Sequence, residues 1–298
     1  MVKGYNMKKA NLYSVMFDVF INIILAMVVV VTLYPFLHVV SVSLSDPYAV
    51  MQNKVNFYPV GFNLNAYKSV LSNPYIWISY KNTIVYTVVG TAVNLVLTTA
   101  MAYSLSKKYL FGRKFFSIFT TFTLFFNGGI IPNYIIISKL GLIDSMWALI
   151  LPIAIGTWNL MVMRNYFEGL PSEIEESAAI DGCNPVQVLV KIVLPVSKPI
   201  FATMTLFYAV WHWNTYFSPL LYLNDKEKYP LQIFMQQILI TGETSFANTV
   251  VGIEDTNLLI SNTVKYATIM VAILPIIMVY PFLQKYFIKG VLIGSVKG

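Results

Sequence analysis

A chain of 298 residues that is 57% hydrophobic and only 11% charged is not an ordinary water-soluble domain, in which about a quarter of residues carry charge. Its formal charge of +7 invites a nucleic-acid reading, but the placement of that charge, set out below, accounts for it without one. A single cysteine, Cys183, excludes an internal disulfide and reads as small structural filler. The expected class is an all-α integral membrane protein, multi-pass, with one membrane domain over residues 1–298.

In chain order, residues 1–14 are basic, with Lys3, Lys8 and Lys9 and no acid. The first apolar run, 17–42, is too long for a signal-peptide core and lacks a good cleavage site, so it is expected to remain as an anchor. His38 has no second histidine or cysteine beside it and reads as a packed or interfacial side chain. Residues 45–79 are rich in turn signals and are expected to have little regular structure. The second span, about 80–106, carries Gly90, Asn94, Thr98 and Ala102 at intervals of four, a stripe suited to close helix packing in lipid. Lys107, Lys108, Arg113 and Lys114 make the next loop basic.

The third span, about 115–131, is expected to break at Asn127-Gly128-Gly129, with an interfacial segment from Asn133 to Leu142. The fourth, about 146–163, is kink-prone at Pro152 and Gly156. The fifth, about 200–223, has no formal charge. Residues 224–262 form a polar loop, and the sixth span, about 266–283, leads into a basic tail. Each span has enough residues to cross a hydrocarbon core of about 30 Å.

Between the fourth and fifth spans lies a polar island, 171–199. Ser172 and Glu175 have the spacing of a capping box, predicting a helix from Glu173 to Asp181 that ends at Gly182. Asn184 with Pro185 predicts a second helix start, which should not run through Leu194 because Pro195 follows it. Ile174, Ser177 and Ala178 share one face of the first helix. Small residues there suit a plug for a soluble partner, and equally a plain solvated turn.

With the N-terminus inside, thirteen of the twenty Lys and Arg fall in inside segments, while the thirteen acids divide six inside and seven outside. This is the positive-inside bias. It places both termini and the polar island in the cytoplasm and 224–262 outside. No phosphate-binding G-x-x-x-x-G-K-[ST], H-E-x-x-H, G-x-S-x-G or C-x-x-C occurs. The spans are nearly free of titratable groups, which disfavours an ion-coupled carrier. A membrane scaffold would not need a short cytoplasmic helix of this design. Energy is therefore expected to enter through the polar island.

The segment Glu176-Ser177-Ala178, three residues, Gly182, nine residues, Ile192-Val193-Leu194-Pro195 resembles the EAA loop of binding-protein-dependent ABC importer permeases. Ser177 stands where the family usually has alanine and is still small. The tail from Gln284 and the stretch Trp211-His212-Trp213-Asn214 to Gln232 are similar to carbohydrate-type permeases of the smaller maltose-permease kind, closest to the complex-oligosaccharide branch. The resemblance implies a non-enzymatic permease in the cell membrane, paired with a second permease as a heterodimer. A dimer of ATPase subunits would hold ATP and Mg, so this chain binds no cofactor and no metal. A solute-binding protein, periplasmic or extracellular, would deliver a sugar or oligosaccharide.

Under that resemblance, Ile174, Ser177 and Ala178 sit in an ATPase groove, Glu176 faces the partner and Gly182 permits the exit, with Leu194 and Pro195 closing the motif. Gly294, Lys297 and Gly298 enter the ATPase interface, and residues within 224–262 probe the binding protein. Trp158, Asn159, Trp211, Trp213, Asn214 and Tyr216 are the candidates for touching sugar, because aromatic faces stack on pyranoses and amides bond hydroxyls. The alternative for the aromatic residues is interfacial anchoring.

Overall fold

The structure, a computed structural model, describes residues 12–241, 262–279 and 281, and among them there are helices and turns but no β-strand. Two compact units are distinguished: 12–72 with 262–271, and 73–241 with 272–279.

In the first unit, α1 (Leu12–Ser43) is 32 residues long, about 48 Å at 1.5 Å per residue. Most of its apolar side chains are exposed, as expected of a helix whose solvent is lipid. Beyond it the chain folds back and is tied down by short polar links. Ser45 donates to the Ser41 carbonyl at 2.6 Å and accepts from the Val60 amide at 3.0 Å, and the Asn63 amide reaches the Leu44 carbonyl at 2.8 Å. Asp46 caps α2 (Pro47–Met51), and α3 (Asn65–Ser72) follows. The expectation of an irregular stretch at 45–79 is therefore corrected: the turn residues act as helix caps. His38 is packed, its Nδ1 at 3.2 Å from the Asn56 carbonyl and its ring edge-on to Tyr266.

The second unit is built around α4 (Pro74–Ser106), which starts six residues before the expected span because Asn73 caps it and Pro74 opens it. After the basic turn come α5 (Arg113–Phe125) and α6 (Ile130–Lys139), bent by 118° at the predicted break. Gly129, at φ +88°, makes that bend, and the Asn127 side chain accepts its amide at 2.9 Å. A short α7 (Trp147–Ile150), continued by a 3₁₀ turn through Ile153, meets α8 (Thr157–Glu168) at 50°.

The polar island contributes α9 (Ser172–Ile180), α10 (Pro185–Val188), a π turn (Leu189–Val193) and α11 (Leu194–Val196), followed by α12 (Lys198–Asn214). The expected fifth span of 200–223 is not one helix. The side chains of Asn214 and Thr215 bond back to the Val210 and Trp211 carbonyls at 2.8 Å, and Thr215 is extended, so α12 stops there. α13 (Phe217–Tyr222) then begins afresh. The expected polar loop from 224 holds an ordered turn at Lys226–Lys228 and α14 (Leu231–Gln236), whose Leu231 and Ile233 are fully buried.

α15 (Asn262–Val279) is the last described helix. Residues 280, 282 and 283 of the expected sixth span, most of 224–262, and the tail residues Gly294, Lys297 and Gly298 lie outside the described residues. Among the described residues three helices are long and apolar enough to cross a membrane, and up to six spans result if each of three bent pairs counts as one, α5 with α6, α7 with α8, and α10–α11 with α12, the last bent by 87°.

α8 and α12 lie along α4 through the stripe read in the sequence. Gly90, Asn94, Thr98 and Ala102 are all buried there, the last three completely. Below them Leu160, Met163, Met204, Tyr103 and Phe167 form a core that reaches to the polar island.

Candidate functional site

The polar island folds onto one end of α4. Its first helix, α9, does not begin with the expected capping box. Pro171, whose ring offers no acceptor, occupies the N-cap position, and Glu175 pairs instead with the Lys107 ammonium just past the end of α4. That ion pair is mostly sheltered, and the ammonium also lies 4.2 Å from the Tyr103 ring centroid. Beside it Glu168 joins Arg113 and Arg164, the second at 2.9 Å, while Arg113 Nε donates to the Leu105 carbonyl at 2.8 Å. Two members of the basic turn are thus neutralised by acids 55 and 68 residues along the chain.

These contacts fix which side of α9 faces out. Ala178, 3% exposed, is buried in the core with Tyr103, Phe167 and Val188. Of the residues expected on one docking face, Ile174 and Ser177 are exposed, while Ala178 is buried against the chain's own core. Ala178 is the foot of the helix, Ile174 lies on its flank at 36% exposure, and Ser177 points outward. The free face is Glu173, Glu176, Ser177 and Ile180, an i, i+3, i+4, i+7 set in which every member is exposed. Ile180, at 87% exposure, was missed in the sequence. An isoleucine bared on a polar helix is the signal that it offered.

Gly182 ends the helix at φ +81°, as predicted, with open space where a Cβ would go. Asn184 and Gln187 form the capping box that starts α10, each side chain paired with the other's backbone amide at 2.9 Å. The expected stop before Pro195 does not occur, since Leu194 is helical at φ −59°, ψ −48°. The π turn upstream is the reason: its wider i→i+5 spacing moves the carbonyls away from the proline ring. Between α9 and the ends of α4 and α8 lies a groove of about 610 Å³, lined in part by Tyr103, Lys107, Glu175, Glu176 and Cys183.

Two polar rungs cross the middle of the unit, where the α7–α8 break leaves backbone groups without helical partners. Asn94 Nδ2 donates to the Ile153 and Ala154 carbonyls at 2.7 and 2.9 Å, and Asn94 Oδ1 stands 2.6 Å from His212 Nε2. One turn along, Tyr208 pairs with Thr98 at 2.7 Å and accepts the Gly156 amide at 3.3 Å. Gly90 makes the first rung possible, because a Cβ there would fall on the His212 ring. Asn94 packs in the stripe, as the sequence predicts, and it also carries this link, which no local spacing on α12 signals for His212.

The candidate sugar-contact residues differ in exposure and bonding. Trp158, Trp211 and Tyr216 are exposed, and Asn159 is half-buried. Asn214 spends its amide on its own helix. Trp213 is half-buried with its indole N–H unpartnered among the described residues. Among the described residues no three His, Cys, Asp or Glu side chains are grouped to hold a metal.

At the opposite end of α4 the chain is pinned through its backbone. Asn82 donates to the Glu227 carbonyl at 2.6 Å, and Tyr86 to the Lys228 carbonyl at 2.9 Å. Asp144 accepts the Asn224 and Asp225 amides at 3.0 and 3.1 Å and pairs with Lys228. Those bonds, that of Lys228 foremost, hold the Asp144 carboxyl down to about 2.

Comparison with known proteins matches residues 5–293 to the family described as binding-protein-dependent transport system inner membrane component. The chain is 43% identical to the polygalacturonan/rhamnogalacturonan transport system permease protein YtcP of Bacillus subtilis (strain 168), over 95% of this chain and 99% of that one. It is 45% identical to protein LplC of the same organism, over 95% of each. Among solved structures it matches a chain in the crystal structure of a bacterial ABC transporter involved in the import of the acidic polysaccharide alginate. There the TM-score is 0.86 at 35% identity, covering 94% of this chain and 100% of that one. On a family match that spans nearly its whole length, this chain belongs to the inner membrane components of binding-protein-dependent transport systems.

Proposed function

We propose that this chain is the permease subunit of an ATP-driven importer and forms half of the path for an oligosaccharide handed over by a solute-binding protein. It is a single permease domain of six spans in the cell membrane, the three bent pairs each counting as one, with both termini cytoplasmic. It is not itself an enzyme; a dimer of partner ATPases binds ATP and Mg. A second, different permease covers the apolar sides that this chain leaves exposed, α1 above all. Relatives named for polygalacturonan and for the acidic polysaccharide alginate support an acidic oligosaccharide as the cargo.

The observation that carries the reading is the pose of α9. The helix is fastened to its own subunit by Ala178 and the Glu175–Lys107 pair, while Glu173, Glu176, Ser177 and Ile180 stay bare. A helix held on one side and bare on the other passes a push from whatever grips the bare side into α4 and α8. The ATPase groove takes that side, with Ile180 as its apolar contact and Glu176 setting orientation. Gly182 provides the exit and Leu194–Pro195 the route into α12. The tail residues Gly294, Lys297 and Gly298 reach the same ATPase interface, and part of 224–262 reaches the binding protein. Trp158, Trp211 and Tyr216 remain the side chains offered to sugar, with Asn159, Trp213 and Asn214 in support.

The test is uptake of labelled galacturonate oligomers into proteoliposomes holding the full complex, with ATP hydrolysis measured in parallel. Wild type should import and hydrolyse together. Ile180→Asp combined with Glu176→Lys should abolish uptake although the complex still inserts. Undiminished uptake by that variant, or import without hydrolysis, would refute the reading.

A further inference from the structure

Broken helices inside a membrane are tolerated only where their loose backbone groups find other partners. Here three such groups, the Ile153 and Ala154 carbonyls and the Gly156 amide, are all taken by side chains of α4 and α12. Asn94 spends both amide hydrogens on the two carbonyls, so its oxygen is the acceptor and His212 Nε2 must be the donor. His212 thus bonds to α4 at Asn94, and through Asn94 it fixes the broken span. The ring lies against Gly90, the one residue type without a side chain in its way. Tyr208, one turn from His212 on α12, repeats the arrangement with Thr98 and Gly156.

We propose that His212 is a positioning residue for energy coupling: the His212–Asn94 rung clamps the α7–α8 break so that α4, α8 and α12 move as one body when α9 is pushed. The inference rests on the importer reading given above. Without the rung, the break acts as a free hinge, and a displacement at α9 dissipates at Ala154–Gly156 before it reaches α7. ATP hydrolysis then continues while transport falls. A residue that served stability alone would lower both together.

The readout is ATP hydrolysed per oligosaccharide imported, measured on the full complex with its binding protein in proteoliposomes. His212→Leu should raise this ratio about fivefold or more, the low end of common coupling energies. His212→Gln, whose amide can still donate to Asn94, should return the ratio close to wild type. Should His212→Leu fail to assemble, Gly90→Ala displaces the same ring without removing it and should raise the ratio likewise. An unchanged ratio in the variant that assembles, or no rescue by Gln, overturns the inference. Wild type that imports no sugar at all would instead count against the importer reading, so the two failures are distinguishable.

Discussion

At one end of α4 the neighbouring segment is held by side chain against side chain, Glu175 on Lys107 and Glu168 on Arg113 and Arg164. At the other end it is held mainly by side chains that grip backbone, Asn82, Tyr86 and Asp144 on residues 224–229, with one ion pair, Asp144 on Lys228, beside them. Long charged side chains can follow a helix that is pushed. Backbone grips define a loop's path and give way only by breaking. The contrast separates an end suited to receiving motion from an end suited to holding a shape. It also explains why α9 keeps a bare face, whereas the chain after Pro230 turns inward to bury Leu231.

The sharpest way to break this contrast is Ala178→Asp. A charge in the core under α9 should cost about 3 kcal/mol or more and prevent assembly of the complex. Ser177→Asp, on the bare face, should leave thermal unfolding unchanged. Equal melting behaviour of the two variants, followed by size-exclusion after heating, would mean that the helix face is assigned wrongly.

Next in size is the ion pair. Lys107→Met strands Glu175 in a mostly sheltered site and should cost about 1–2 kcal/mol, discounted for its partial exposure. The double variant with Glu175→Met should recover part of that loss in a double-mutant cycle on the purified complex. Strict additivity would deny the pair any coupling.

At the far end, Asn82→Ala removes two grips on the backbone and should cost about 1 kcal/mol. Hydrogen exchange should speed up at 224–229 and leave 172–180 untouched. Acceleration at both ends would erase the distinction between them.

The smallest effect is a pH window. The Asp144 carboxyl is lowered from 3.8 to about 2, so its contribution is fully present above about pH 4 and is lost only as pH falls through about 2. Exchange protection of 224–229 should therefore persist at pH 3 in wild type and be weaker in Asp144→Asn at every pH down to that point. A wild-type loss of protection centred near pH 4 would show that the lowered value is not realised.

Local signals in the sequence were sound where the partner lay nearby. The four-residue stripe on α4, the Asn184 cap, the Gly182 exit and the break at Asn127–Gly129 follow from spacing alone. Several of the misses share a cause, which is a distant partner. Glu175 has the right spacing to cap α9 but is drawn to Lys107, 68 positions away. Asn82 meets its carbonyls 145 and 147 positions along, and His212 meets Asn94 across 118. Periodicity also placed Ala178 correctly on the small-residue face, yet it could not say whether that face meets another molecule or the chain's own core. Burial decides it, and burial is a property of the whole fold.

The π turn at Leu189–Val193 has a further consequence for chain length. It stores about one residue more than an α-helical turn would use over the same rise. Deleting one residue there lets the segment rewind as ordinary α-helix with its flanks still in register, whereas each further residue lost swings what precedes it by about 100° around the axis. Val188 would rotate off the core and take the lever ahead of it out of alignment. Beyond that one residue, insertions and deletions, more than substitutions, are the changes that this short stretch cannot absorb.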